Sequence, residues 1–140
     1  MSMNKYFLQV LILLSCFDVR AEDKALKDTQ ALLNDRNQLN QVFKEDAKAR
    51  DADQFALKAV GGDTQDRDQL YQISSQILEQ LTKENNQDPQ KMQEQLLKAT
   101  QNPEQFYKKL NPETQNKIKE VAGRVEQRRQ VSSDHKKNKP

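Results

Sequence analysis

The stretch DTQDRDQLYQISSQILEQLTKEN, residues 63–85, decides the fold. Leu70, Ile73, Ile77 and Leu81 recur every three or four residues, which places them on one stripe of an α-helix. A carboxylate or hydroxyl at the start of the stretch supplies a helix cap, and more acidic side chains follow in the first turn. The sequence therefore predicts an amphipathic main helix over residues 63–86.

Three further helix starts follow this main helix. Each is an Asp or Asn followed by Pro, at residues 88–89, 102–103 and 111–112. The Asp or Asn side chain accepts bonds from free backbone N–H groups, and Pro suits the first helical position because that position needs no N–H donor. Apolar residues then recur at helical spacing, including Ile118, Val121 and Val125. We predict C-terminal helices over residues 89–129.

The segment before the main helix also has a helical pattern. Within residues 22–60, Leu32, Leu39, Val42 and Phe43 recur at intervals of three, four and seven, and Leu26 and Leu33 are also seven apart. A capping box over residues 51–54 predicts one interruption there. The pair Gly61-Gly62 supplies the left-handed turn that ends helices.

These patterns predict an all-α protein, a small bundle of about four to six helices over residues 22–129. No segment alternates apolar and polar residues for long enough to suggest a sheet. Residues 130–140 contain Lys136, Lys137 and Lys139 and little apolar character. We expect them to form a disordered basic tail.

The N-terminus has the three zones of a secretory signal peptide. A short start with one lysine, an apolar centre and small residues at Val19 and Ala21, the −3 and −1 positions, predict cleavage of residues 1–21. The apolar run is too short to span a membrane. We expect an exported chain, periplasmic or secreted, without a transmembrane segment once cleaved.

A second cleavage site competes with the first. Residues 13–16 resemble a bacterial lipobox, which makes Cys16 a candidate lipidation site. Lipidation would anchor the protein to a membrane, whereas cleavage after Ala21 would release it. Cys16 is the only cysteine in the chain, so no intramolecular disulfide can form.

Composition and charge describe a polar protein with little apolar material for a core. Leu, Ile, Val and Phe make up about 18 per cent of residues 22–140. Residues 22–88 have a net charge of −5 and residues 89–140 a net charge of +6. This division predicts that the halves attract each other or a second copy, or that the second half meets an anionic surface. The candidate residues for an anionic partner are Lys117, Lys119, Arg124, Arg128 and Arg129.

The sequence offers little for catalysis. His135 is the only histidine and lies in the predicted tail, where it could not hold the geometry of a general base or metal site. Asp63, Asp66 and Asp68 could gather a hard cation, but helix capping already accounts for acidic residues there. We predict no enzyme, no cofactor and no metal. Nucleic acid is not expected as a partner, because aromatic residues that could stack on bases are missing from the basic region.

One short motif resembles known exported proteins. Residues 110–115, LNPETQ, resemble the helix starts of Spy-type periplasmic chaperones, and residues 81–85 are a second partial match. Similar starts occur in secreted helical lipid carriers of nematodes. Both stretches depart from the chaperone pattern, since Thr114 and Asn85 stand where it has Gln. Helix capping explains the motif without common descent, so no family is assigned.

The sequence therefore favours a non-enzymatic, exported interaction module: helices that bind another protein, act as a chaperone or self-associate, in coiled-coil fashion or otherwise. The candidate interaction stripe is Leu70, Ile73, Ile77 and Leu81. Two alternatives stay open, namely a secreted carrier of a small apolar ligand and a structural lipoprotein anchored through Cys16. The carrier needs a cavity with apolar walls, which a chain this polar can hardly build.

Overall fold

The computed structural model describes the backbone of residues 23–137 and the side chains of residues 27–133. Over that range it is all-helical, with seven helices and no strand. The helices are α1 (Asp23–Asn34), α2 (Arg36–Glu45), α3 (Ala47–Ala59), α4 (Thr64–Glu84), α5 (Pro89–Gln101), α6 (Pro103–Lys109) and α7 (Pro112–Lys137). The predicted fold class is confirmed, and the helix count is slightly higher than the four to six predicted. The predicted signal peptide and Cys16 lie outside the described residues.

Helix α4 is the centre of the bundle and packs against α1, α3, α5 and α7. Its stripe of Leu70, Ile73, Ile77 and Leu81 is at most 3 % exposed. Burying one such side chain is worth about 1.5–3 kcal/mol, so this stripe is a main source of stability. Other helices complete the core with buried apolar side chains, among them Leu33, Leu39, Val60, Met92, Leu96, Ile118, Val121 and Val125.

The predicted caps of the second half are confirmed. Asp88 accepts hydrogen bonds from two backbone N–H groups at the start of α5. Asn102 and Asn111 do the same for one N–H group each, at the starts of α6 and α7. The main helix begins after Asp63, whose carboxylate accepts from the N–H of Asp66 at 2.9 Å. Both Gly61 and Gly62 have positive φ angles, +73° and +85°, as the predicted helix stop requires.

The predicted interruption in the first half is wrong. Asp51 and Asp53 lie inside α3, and the breaks are at Asp35 and Asp46. Each of those two carboxylates accepts hydrogen bonds from two backbone N–H groups of the helix it caps. The capping pattern at residues 51–54 does not act as a cap: Asp51 is exposed within α3, and Asp53 bonds side chains of α4.

The last helix continues beyond the boundary predicted at Gln130 and reaches Lys137. Residues between Gly123 and Pro140 include no helix breaker, and most of them are good helix formers. The hydroxyl of Ser133 donates back to the carbonyls of Arg129 and Gln130. Residues 138–140 lie outside the described range, and the disorder expected for the tail stays a prediction.

Candidate binding cleft

An open cleft lies where the end of α4 meets α5 and α6. Its volume is about 290 Å³, near the lower end of the roughly 300–1,000 Å³ of small-molecule sites. The cleft is lined by Gln80, Leu81, Glu84, Gln95, Lys98, Ala99, Asn102, Gln105, Phe106, Lys109 and Leu110. A cleft of this size accommodates one or two side chains of a larger partner.

Apolar side chains that belong to the core form one part of the cleft lining. Leu81, Ala99 and Leu110 are at most 4 % exposed, and Phe106 packs against the core while partly exposed. Phe106 of α6 is therefore the apolar side chain of the lining that keeps surface for contact with a partner. The lining therefore offers an anchor point for an apolar group.

Gln80 fixes the position of one wall. Its amide nitrogen donates to the carboxylate of Glu84 at 2.7 Å and to the carbonyl of Lys109 at 3.0 Å. Its amide oxygen accepts from the backbone N–H of Asn111 at 3.1 Å. One side chain thus holds α4 against the turn between α6 and α7.

The oxygens of the other lining amides each accept a hydrogen bond within the protein. Gln95 accepts from the Asn85 amide at 3.1 Å, Asn102 accepts from the backbone N–H of Gln105 at 3.2 Å, and Gln105 accepts from the Asn102 amide at 3.5 Å. The amide nitrogens of Gln95 and Gln105 have no partner within the described part of the chain. The cleft therefore offers these two amide nitrogens as free donors, beside the remaining lone pairs of the lining oxygens.

The predicted interaction stripe lies elsewhere. Leu70, Ile73 and Ile77 face the core, and only Leu81 lines the cleft. In this conformation the stripe is internal packing and offers no surface to a partner. Apolar side chains that are exposed lie on three other helices: Phe55 at 45 %, Leu97 at 60 % and Val131 at 59 %.

Part of the predicted basic face, the candidate residues for an anionic partner, forms ion pairs inside the molecule. The guanidinium of Arg124 donates to the Asp66 carboxylate at 2.8 Å, and that of Arg128 pairs with both Asp66 and Asp63. Asp66 is only 2 % exposed, so the charges of the two halves meet in the interior. This arrangement supports the interpretation that the halves attract each other.

Three members of that face lie outside this network. Lys117 pairs with Glu113 one turn earlier at 3.0 Å, and Lys119 is exposed. Arg129 and Arg128 border an open depression of about 310 Å³ together with Gly61, Ser132 and Ser133. The basic surface that remains for an anionic partner is thus smaller than the sequence suggested.

The three aspartates considered for a cation are engaged by arginines. Asp63 and Asp66 face Arg124 and Arg128, while Asp68 pairs with Arg67 at 3.3 Å. A backbone hydrogen bond from Asp66, opposed by burial, is the main cause that lowers the pKa of Asp63, and Arg128 lowers it further. Among the described residues, no group of three or more His, Cys, Asp or Glu side chains is placed to hold a metal ion.

A second polar cluster, which the sequence did not reveal, joins α2, α3 and α4. The Tyr71 hydroxyl donates to Asp53 at 2.9 Å, and Arg67 pairs with the same carboxylate at 3.3 Å. Arg36 lies over the rings of Phe43 and Tyr71, at 5.6 and 5.8 Å from their centroids. Burial and the Asp53 carboxylate raise the pKa of Tyr71 above its ordinary range. The cluster has the character of a partly buried structural network.

Comparison with known proteins gives no family. The chain matches no protein-family model, no curated protein sequence and no solved structure. Within residues 23–137, none of the helices combines the length and apolar character needed to cross a bilayer.

The sequence did not predict the cleft. Its lining comes from three separate stretches, residues 80–84, 95–102 and 105–110. Each stretch reads as an ordinary polar helix face, and only the packing of α5 and α6 on α4 brings them together. One signal in the sequence that could have indicated the cleft is the density of amide side chains near the Asx-Pro helix starts at residues 88–89 and 102–103.

Proposed function

We propose that this chain is an exported, non-enzymatic interaction module that binds a peptide segment of another protein in the cleft between α4, α5 and α6. The observation that carries the proposal is the cleft: apolar side chains at its lining, surrounded by amide and charged side chains that belong to three different helices. An apolar anchor point with a polar rim is the usual anatomy of a protein interaction site.

The shape of the cleft supports a peptide over an enclosed small molecule. A carrier of an apolar ligand has to bury most of its ligand inside an apolar pocket. Here the space is open, and its lining includes Glu84, Lys98 and Lys109. The carrier alternative therefore has less support than peptide binding.

The export part of the proposal rests on residues 1–21 and has its own test. Mass spectrometry of the protein from the cells that make it identifies the first residue. We expect Glu22, without lipid. A lipidated Cys16 would favour the anchored alternative, and an intact Met1 would contradict export.

Peptide selection tests the binding function. The purified protein is screened against a random peptide library without bias in charge, and the enriched peptides are then measured against two variants. Gln105→Ala removes a cleft amide, whereas Gln93→Ala removes an exposed amide of α5 that does not line the cleft.

We expect enriched peptides whose affinity falls about three- to tenfold with Gln105→Ala, the effect of losing about one hydrogen bond. Gln93→Ala should leave their affinity unchanged. Absence of any enriched peptide, or equal responses of the two variants, would contradict the proposed function.

A further inference from the structure

The hydrogen-bonding groups of the cleft include several donors without a described partner. The oxygens of Gln80, Gln95, Asn102 and Gln105 already accept hydrogen bonds within the protein. The carboxylate of Glu84 accepts from Gln80. These oxygens keep further lone pairs, but the amide nitrogens of Gln95 and Gln105 and the ammonium groups of the lining lysines bind no described partner, and such donors favour a ligand rich in acceptors.

Two lysines of the lining differ from other lysines on neighbouring turns. Lys91 pairs with Asp88 and Lys108 pairs with Glu104. By contrast, Lys98 and Lys109 form no ion pair with any described residue. Lys98 stands four residues after Glu94, a spacing that favours pairing on a helix, yet it borders the cleft without that partner.

The charge of the cleft follows from these contacts. Lys98 and Lys109 bring two positive charges and Glu84 brings one negative charge, so the lining keeps a net positive charge. The two ammonium groups keep three donors each. An occupant with carboxylates would complement this charge and would use the free donors at the same time.

We infer that the cleft binds an acidic peptide segment, in which an apolar side chain enters the cleft and neighbouring carboxylates meet Lys98 and Lys109. The inference rests on the proposed function and adds the class of partner. The free amide donors of Gln95 and Gln105 then face backbone carbonyls of the bound segment.

The distribution of donors favours a peptide over a single-headed amphiphile. Gln95 and Lys98 belong to α5, whereas Gln105 and Lys109 belong to α6. A fatty acid has one carboxylate and would leave the donors of one wall unused. An extended peptide has a carbonyl about every 3.3 Å, so it supplies acceptors to both walls.

Fluorescence anisotropy with defined probes tests the inference. The probe is a fluorescein-labelled hexapeptide that alternates glutamate and leucine; its comparisons alternate glutamine and leucine, or lysine and leucine. We expect the glutamate peptide to bind most tightly and the lysine peptide not to bind. The affinity should fall as salt rises from about 0.1 to about 1 M, because the screening length shortens from about 10 to about 3 Å.

Two double variants with the same change in net charge separate the cleft from general electrostatics. Lys98→Gln with Lys109→Gln removes both cleft lysines, while Lys58→Gln with Lys119→Gln removes two exposed lysines outside it. The first should weaken the glutamate peptide by about three- to thirtyfold, the sum of two exposed ion pairs. The second should change its affinity less than twofold, and both should keep the melting curve of the wild type.

Several results would overturn the inference. Equal losses in the two double variants would assign binding to net charge. Selected peptides that respond to Gln105→Ala but are basic or neutral would leave the proposed function standing and remove its acidic partner. A dimer that Gln105→Ala dissociates, or uptake of a fluorescent fatty acid without acidic-peptide binding, would assign the cleft to a second copy or to an amphiphile.

Discussion

At the scale of single residues, Asp66 links the two halves of the chain. Its side chain is 2 % exposed, and its carboxylate pairs with Arg124 and Arg128 from the last helix. A buried carboxylate without such partners would cost several kcal/mol. Its position near the start of α4 therefore couples the main helix to α7.

Replacing Asp66 should destabilise the bundle. Asp66→Asn removes the charge that both guanidinium groups meet, and we expect the free energy of unfolding to fall by about 1–3 kcal/mol. The loss stays below that of a fully buried pair because Arg124 and Arg128 are 39 % and 35 % exposed. Urea denaturation measures it. Asp68→Asn, whose side chain is 42 % exposed, is the control and should change stability by less than about 0.5 kcal/mol.

A second prediction at this scale concerns the contribution of Tyr71 to stability and its dependence on pH. Tyr71→Phe removes the hydrogen bond to Asp53 and should cost about 1 kcal/mol at neutral pH. Burial and Asp53 raise the pKa of Tyr71 in the folded state above the ordinary value of 10.0. The folded state then retains a proton that the unfolded state loses, so stability falls as pH rises above about 10.

Denaturation over an alkaline pH series checks this sign. The decline in the free energy of unfolding above pH 10.0, the ordinary pKa of tyrosine, should be smaller in Tyr71→Phe than in the wild type. Parallel declines in the two proteins would show that Tyr71 ionises as readily in the folded as in the unfolded state.

At the scale of elements, the sequence predicts a helix boundary correctly when the signal for that boundary lies within a few neighbouring residues. The Asx-Pro pairs at α5, α6 and α7 are complete within two residues and need no tertiary context. The breaks at Asp35 and Asp46 carry no proline or glycine. The capping pattern at residues 51–54 is a stronger sequence signal, but no helix begins there, and Asp53 forms hydrogen bonds with Arg67 and Tyr71. Those contacts are tertiary and were not visible locally.

The corrected boundary gives a direct prediction. Asp46→Ala removes hydrogen bonds to the N–H groups of Lys48 and Ala49, and we expect a loss of about 1 kcal/mol. Asp51→Ala changes an exposed position inside α3 and should be neutral or slightly stabilising, because alanine favours helix. Thermal unfolding of both variants measures this. A larger loss with Asp51→Ala would restore the boundary expected from the sequence.

Replacing glycine by alanine should change the stability in opposite directions at Gly62 and Gly123. An added Cβ meets no atom within 4 Å at either Gly62 or Gly123, so space does not distinguish them. Gly62 has φ +85°, and Gly62→Ala should cost about 1–2 kcal/mol. Gly123 lies inside α7, and Gly123→Ala should add about 0.5–1 kcal/mol of stability. Equal effects in chemical denaturation would contradict the assigned backbone conformations.

At the scale of the whole molecule, packing determines which surfaces face the core and which charges meet, and the sequence alone does not. The stripe at Leu70, Ile73, Ile77 and Leu81 was recognisable, but its periodicity is the same whether it meets a core or a partner. The structure places it in the core. The division of charge was also recognisable, yet only the fold shows that Asp66 meets Arg124 and Arg128.

The candidate site was less accessible to sequence analysis than the fold. Phe106 and Lys109 are separated in sequence from Gln80 and Leu81 by the whole of α5, and no motif joins them. Which groups of the cleft are free becomes clear only once the hydrogen-bond partners of each amide are known. Those partners, such as Asn85 for Gln95, depend on tertiary packing.

The most direct test of the central claim is a nuclear magnetic resonance titration of the isotopically labelled protein with the glutamate–leucine hexapeptide. We predict that saturable shift changes of backbone amides concentrate at Gln95, Lys98, Gln105 and Lys109 and leave the rest of the spectrum in place. Changes that concentrate instead at Lys117, Lys119 and Arg129, or no saturable change at all, would contradict the assignment of the cleft as the binding site.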